Sequence, residues 1–241
     1  AELTLSGSST MAEVLLPALI EGFALRNDYQ TRRNSLQNGN FEYLLLRGGS
    51  TPVARFTFLI SSTDEGFADL LANEADVVMA LREIRPEERR LARDAGLGDM
   101  TGSNRSRVLA LDAMVPVVAP GNPVTSISVP ELAKVFAGKI VNWQELGGPN
   151  APISLHLPVA GSGLAQAVED RLLAPAKLPL SQDLRRHDRS SGLARAVTTD
   201  PFAIGIASFA ETGTARMLTL TGSCGFALAA GRRAIKTEDY P

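Results

Sequence analysis

Three short loops of small polar residues are where this sequence could do chemistry: Ser8-Ser9-Thr10, Ser61-Ser62-Thr63 and Gly161-Ser162-Gly163. Each runs into a helical pattern. The first amides of a helix have no intrahelical partner and carry partial positive charge. Neighbouring hydroxyls add donors, and glycine lets a ligand approach the backbone. Such a turn holds an oxyanion without any lysine. Taken singly, each loop is equally an ordinary N-cap, because serine and threonine are favoured there for capping alone. Arg82 follows the apolar run 77–81 and is a candidate cation. It either reaches over a ligand or pairs with a neighbour such as Glu83 or Glu87.

Enzyme chemistry finds little to stand on. His156 and His187 are the only histidines, they are not at metal-ligand spacing, and no cysteine lies near either. Arg185, Arg186 and Arg189 flank His187 as a basic run, read as solvated surface or as a secondary anion contact. Gly161-Ser162-Gly163 lacks the intervening residues of a nucleophile elbow, and no Gly-Lys-Ser/Thr phosphate loop is present. Asp112 and Trp143 read as structural. The expectation is a protein with no catalytic residue, no metal and no cofactor.

The elements that must position the three loops alternate between strand and helix. Leu3 to Leu5 reads as a strand. Met11, Leu15, Leu19 and Phe23 then fall on one helical face, with Pro17 kinking the helix locally. Residues 41–46 suggest an extra strand and 55–60 another. A short helix follows Ser62, 76–80 is a buried strand, and Pro86 opens a charged helix. Beyond the apolar stretch 108–118, strands at 153–159 and 203–207 alternate with helices at 129–136, 164–172 and 191–198. That alternation argues an α/β fold with mainly parallel sheets, whose loops at the carboxyl ends of strands are where ligands bind.

The chain has 241 residues, 44% hydrophobic and 21% charged, which is ordinary globular composition and enough for two lobes. Its net charge of −2 gives no basic field, so nucleic acid and anionic membranes are poor partners on overall charge. No apolar run reaches the length of a membrane span. Cys224 stands alone, which excludes an internal disulfide. No signal peptide is present. This fits a cytosolic chain or a mature exported one.

One run carries a family likeness: Leu111-Asp112-Ala113-Met114-Val115-Pro116-Val117-Val118, Asn122-Pro123-Val124, Leu132, Phe136-Ala137-Gly138-Lys139-Ile140, Asn142-Trp143 and Leu146-Gly147-Gly148. In order and spacing it resembles the periplasmic phosphate-binding proteins of ABC transporters. Weaker matches run through 5–10, 66–84, Gly161-Ser162-Gly163 and 203–206, leaving 26–54 as a longer, unlike segment.

The resemblance implies a two-lobed periplasmic binding protein fold of type II, α/β, with two crossover strands and an anion in the cleft between lobes. Lobe one would comprise 1–107 with 219–241, and lobe two 108–218; the family continues past a Tyr-Pro such as Tyr240-Pro241, so a longer natural chain is expected. The implied ligand set is Ser9, Thr10 and the Met11 amide, Thr63, Arg82, and Gly161, Ser162 and Gly163. Three positions depart from the pattern. Leu81 stands where the family has serine or aspartate, Leu164 stands where it has threonine, and the arginine expected shortly before Ser162 is replaced around His156-Leu157-Pro158. A buried dianion needs dense donors and compensating charge. The implied function is capture of phosphate or a related small oxyanion by a monomeric, periplasmic, non-enzymatic binding protein. It would work with ABC-transporter membrane subunits in uptake or sensing. The alternative is an envelope domain that keeps the fold with a degenerate site and acts through partner or cell-wall contacts.

Overall fold

In the computed structural model the chain divides into two compact units, Ala1–Arg107 and Val108–Pro241. The described residues are 1–188, 190–222, 227–237 and 240. Arg189, Cys224 and Pro241, each singled out in the sequence, lie outside them.

The first unit is built on β1 (Glu2–Ser8), α1 (Leu16–Arg26), β2 (Tyr29–Ser35), β3 (Phe41–Arg47), β4 (Thr51–Ser61), α2 (Thr63–Leu71), β5 (Val77–Met79) and α3 (Pro86–Asp94). Its sheet runs β2-β3-β4-β1-β5. Central β1 pairs in parallel with β4 and β5, while β2 and β3 form an antiparallel ribbon on β4. The core packs Leu5, Phe41, Tyr43, Phe58 and Met79 against Leu16 and Ile20 of α1. Phe41 and Phe58 stack with ring centroids 4.6 Å apart. β2 was not foreseen, because its sequence YQTRRNS shows no apolar alternation; its buried side is supplied by β3.

The second unit contains β6 (Met114–Val118), β7 (Ser126–Ser128), α4 (Val129–Phe136), β8 (Ser154–Pro158), α5 (Gly163–Ala167), α6 (Ala174–Ala176), β9 (Arg185–His187), α7 (Ser190–Thr199), β10 (Ala203–Ser208), β11 (Arg216–Met217), β12 (Thr219–Thr221), β13 (Ala227–Leu228) and α8 (Arg232–Lys236). One sheet runs β11-β6-β10-β8-β9 and a smaller one β13-β12-β7. In each five-stranded sheet two pairings are parallel and two antiparallel, so the sheets are mixed rather than mainly parallel. β12 pairs in parallel with β7, and Tyr240 packs on the second unit's core. The described part of 219–241 thus lies with the second unit, whereas the sequence placed it with the first. Trp143 is fully buried, its Nε1 donating to the Phe202 carbonyl at 2.8 Å, and Ser208 Oγ donates to Asp112 Oδ2 at 2.6 Å.

Proline leaves one mark twice. Before Pro17 the helix widens into a π segment, Met11–Leu15, closed by the Leu16 amide on the Met11 carbonyl. Before Pro175 the same widening spans Val168–Leu173, closed by Ala174 on Glu169. A proline ring has no N–H to give and crowds the carbonyl four residues back. Shifting the preceding bonds to five-residue spacing relieves that crowding without breaking the helix.

Candidate functional site

The three parallel strands of the first unit end along one edge of its sheet. Their register sets Ser8 opposite Ser61, and Gly7 opposite both Ile60 and Met79. The loops leaving them, at 8–11, 61–63 and 80–82, are therefore neighbours. Two glycines permit this. Gly7 adopts φ +133, and a Cβ there would lie 2.5 Å from the Met79 carbonyl oxygen. A Cβ on Gly66 would lie 2.7 Å from the Ser6 carbonyl, so α2 rests directly on β1. Beneath α2, Ser6 Oγ donates to Asp69 Oδ2 at 2.5 Å and sits 3.2 Å from Ser61 Oγ.

Within that edge the candidate residues fare differently. Ser9 and Thr10 are exposed at the start of the first helix, Met11 is half-buried, and the Thr10 side chain makes no capping bond. Thr63 is fully buried, and its Oγ1 accepts the Leu81 amide at 3.2 Å. Ser62 caps α2 instead. Its Oγ accepts the Glu65 amide at 3.1 Å, and Glu65 Oε2 accepts the Ser62 amide at 2.9 Å. Asp64 and Glu65 thus occupy the first turn of α2, where carboxylates stabilise the helix start and oppose an incoming anion.

Arg82 is committed elsewhere. Its Nη2 donates to Glu88 Oε1 at 2.6 Å and to Asp64 Oδ1, and its Nη1 donates to Glu88 Oε2 and the Glu83 carbonyl, both at 2.9 Å. The guanidinium stands 5.3 Å from the Phe67 ring centroid, and the side chain is 7% exposed. The Glu88 and Asp64 carboxylates hold its pKa above the ordinary arginine value. Arg82 therefore pins the loop after β5 to the first turns of α2 and α3.

In the second unit, the turn after β8 carries Gly161-Ser162-Gly163. The Ser162 amide donates to the Val159 carbonyl at 3.2 Å, and Ser162 Oγ accepts the Ala165 amide at 3.2 Å. Gly161 is exposed at φ +84 with open space where a Cβ would sit, and Leu164 packs into the core. The turn is tied to β9 by the Val159 amide on the His187 carbonyl at 2.9 Å. Arg186 Nη1 donates to the Pro158 carbonyl at 2.8 Å, which brings a guanidinium to the base of the turn. Sequence reasoning counted Arg186 only within a basic run; the strand pairing that places it spans 28 residues.

The two histidines, separate in sequence, meet in space. His156 Nδ1 lies 2.8 Å from His187 Nε2, and Ser154 Oγ lies 3.2 Å from His156 Nε2. His156 is 1% exposed. Burial first, then the nearby His187 and Arg185 charges, lowers its pKa to about 4, against a small opposing pull from Asp200. Among the described residues, no group of three or more His, Cys, Asp or Glu side chains could hold a metal.

A family model described as PBP superfamily domain matches residues 1–239. The chain belongs to that superfamily. This PBP-superfamily chain is 30% identical over 156 residues to protein SphX of Synechococcus elongatus, a match covering 62% of this chain and 44% of SphX. It is 32% identical over 82 residues to the phosphate-binding protein PstS of Borreliella burgdorferi, covering 34% of this chain and 29% of that one. These matches span less than half the length of either relative. Two solved structures share the fold across the whole PBP-superfamily chain. An ABC-type phosphate transport receptor from Vibrio cholerae matches at TM-score 0.70 and 18% identity, with 83% of its chain covered. A putative phosphate ABC transporter substrate-binding protein from Clostridium perfringens matches at 0.67 and 20%, with 82% covered. The likeness to phosphate-binding proteins read from the sequence agrees with these matches.

The buried histidine pair makes the stability of this PBP-superfamily chain acid-sensitive. With a folded pKa near 4 against an unfolded value near 6.5, the unfolded chain binds the extra proton between those limits, so stability falls as pH falls through that window. Urea denaturation is expected to show a loss of about 2 kcal/mol between pH 7 and pH 5 from this residue. His156→Gln cannot titrate and should flatten that part of the profile. Parallel profiles for the two proteins would show that the pair has no such role.

Proposed function

We propose that this chain captures phosphate or a closely related small oxyanion, acting outside the cytoplasm as the binding component of an ABC transporter and performing no chemistry on its ligand. The observation that carries the reading is the shared edge of the first sheet. There parallel register brings the carboxyl ends of β1, β4 and β5 together, with exposed Ser9, Thr10 and the Met11 amide at a helix start. The Gly161-Ser162-Gly163 turn offers a second donor set in the second unit, with Arg186 at its base. The names of PstS of Borreliella burgdorferi and of the two solved phosphate transport proteins point the same way. Among the described residues, no helix is long and apolar enough to cross a membrane.

Isothermal titration with inorganic phosphate tests the proposal, and saturable heat is the expected result. Ser162→Ala should weaken binding about tenfold or more, because a hydrogen bond to a charged acceptor contributes about 1.5–3 kcal/mol. Specific features favour a second reading. Thr63 is buried on the Leu81 amide, Arg82 is neutralised, and two carboxylates sit in the first turn of α2. If phosphate, sulfate and other small oxyanions give neither heat nor a thermal shift, the transport reading fails. An envelope domain with a degenerate site is then the better account.

A further inference from the structure

Helix α1 is apolar on its outside as well as its inside. Leu16, Ile20 and the buried Ala24 face the first unit's core. On the solvent side Leu19 is 47% exposed and Phe23 50%, one turn apart on one face, while Leu25 at 81% and Val14 of the preceding π turn at 69% lie on the other flank. A helix that is hydrophobic all round is normally covered, and a contiguous exposed apolar patch normally marks a contact.

The rim of the patch is basic and rigid. Phe23 stacks on Tyr29 of edge strand β2 at 6.4 Å, and Arg47 Nη2 donates to the Tyr29 hydroxyl at 3.3 Å, with its guanidinium 5.7 Å from that ring. Arg33, on the same face of β2 as Tyr29, lies 3.8 Å over the Phe41 ring. Stacking holds these guanidiniums while leaving edge N–H groups for an outside acceptor. Glu21, the one acid of α1, accepts from the Tyr43 hydroxyl at 2.8 Å, and Glu13 of the preceding π turn is exposed.

The chain's overall charge conceals this surface. Residues 26–55 hold five arginines against two acids, whereas the remainder of 1–107 holds seven arginines against thirteen acids. Three of those five arginines, Arg32, Arg33 and Arg47, lie on the β2–β3 ribbon beside α1, against Glu42 there; Arg26 ends α1, and Arg55 lies on β4 paired with Glu2 and Glu42.

We infer that the Leu19–Phe23 face of α1 and the arginine rim of the β2–β3 ribbon form a docking surface for an anionic lipid membrane, with Leu19 and Phe23 entering the headgroup layer and Arg33 and Arg47 engaging lipid phosphates. Apolar and aromatic side chains beside arginines are the combination that seats a helix at that boundary. An acidic, purely polar partner would leave Leu19 and Phe23 uncovered. A neutral apolar partner would leave the arginines without a counter-charge.

The test is flotation of the whole chain with vesicles of phosphatidylcholine alone and of phosphatidylcholine with about one third phosphatidylglycerol, at low and high salt. Binding is expected to the anionic vesicles only and to weaken as salt rises. Each arginine contributes about fivefold near an anionic surface, so Arg33→Gln and Arg47→Gln should each lower partitioning by about that factor. Leu19→Asp is on the exposed side of α1 and leaves the fold intact. It should abolish binding while the thermal melt and phosphate titration stay unchanged. Equal binding to both vesicle types, or binding to neither, overturns the inference. So does a dimer in solution that Leu19→Asp dissolves, which would show that a second copy covers the face.

Discussion

Arg82→Ala is expected to cost about 3 kcal/mol of stability while leaving phosphate affinity within about twofold of the parent. The stability loss follows from what stays behind. Glu88 is 15% exposed and would keep its charge with no guanidinium across from it, and breaking a buried pair by removing one partner costs about 3–5 kcal/mol. The lower end applies because Asp64 is more open to water and retains Arg85 at 3.2 Å. Lysine should rescue only part, since one ammonium cannot reproduce the two-pronged contact with Glu88. The double variant Arg82→Met, Glu88→Gln should recover most of the loss, because no buried charge is then stranded. Urea denaturation of the first two variants and the pair gives the numbers. The affinity arm separates clamp from ligand: a fall of tenfold or more in phosphate affinity, in a variant that remains folded, would return Arg82 to the binding site.

The case of Arg82 shows where sequence reasoning stops. Its position after a buried strand was legible, and pairing was weighed with Glu83 or Glu87. The partners are Glu88, six residues on, and Asp64, eighteen back, and only the packing of α3 and α2 beside β5 selects them. Local helix starts are legible: a short helix after Ser62 and one at 129–136 are both present, and the structure closes each with a reciprocal capping box, Ser62 with Glu65 and Ser128 with Glu131. Signals that depend on strand register were not read. His156 and His187 are 31 residues apart and meet because β8 and β9 pair in parallel. Thr63 looked like a ligand hydroxyl by type and position, yet its burial on the Leu81 amide is set by β5 lying against β1. The fold was legible because periodicity and caps are properties of neighbours in sequence. The site was only half legible because its residues are neighbours across strands.

Gly7→Val is expected to destabilise the first unit by roughly 4 kcal/mol and to disturb all three loops at once. Two costs combine. At φ +133 any side chain is strained, which adds about 1–2 kcal/mol, and overpacking against a fixed neighbour adds about 1–3 kcal/mol. The neighbour is backbone: the Met79 carbonyl oxygen stands 2.5 Å from the new Cβ, so no rotamer change relieves the contact. β5 must move away from β1, breaking the register that pairs Leu5–Gly7 with Val77–Met79. Leu81 follows β5 by two residues, so its amide leaves Thr63 Oγ1, and Arg82 is drawn off the starts of α2 and α3. Gly39→Ala is the control, since Gly39 also has positive φ, at +78, but nothing within 4 Å of a Cβ. That variant should lose about 1 kcal/mol by thermal or urea unfolding. The excess loss in Gly7→Ala over Gly39→Ala then measures the β1–β5 approach itself, and valine should exceed alanine. Should Gly7→Ala cost no more than Gly39→Ala, the two strands are not pressed together at this point. The shared edge that brings the first unit's donors together would then rest on some other contact.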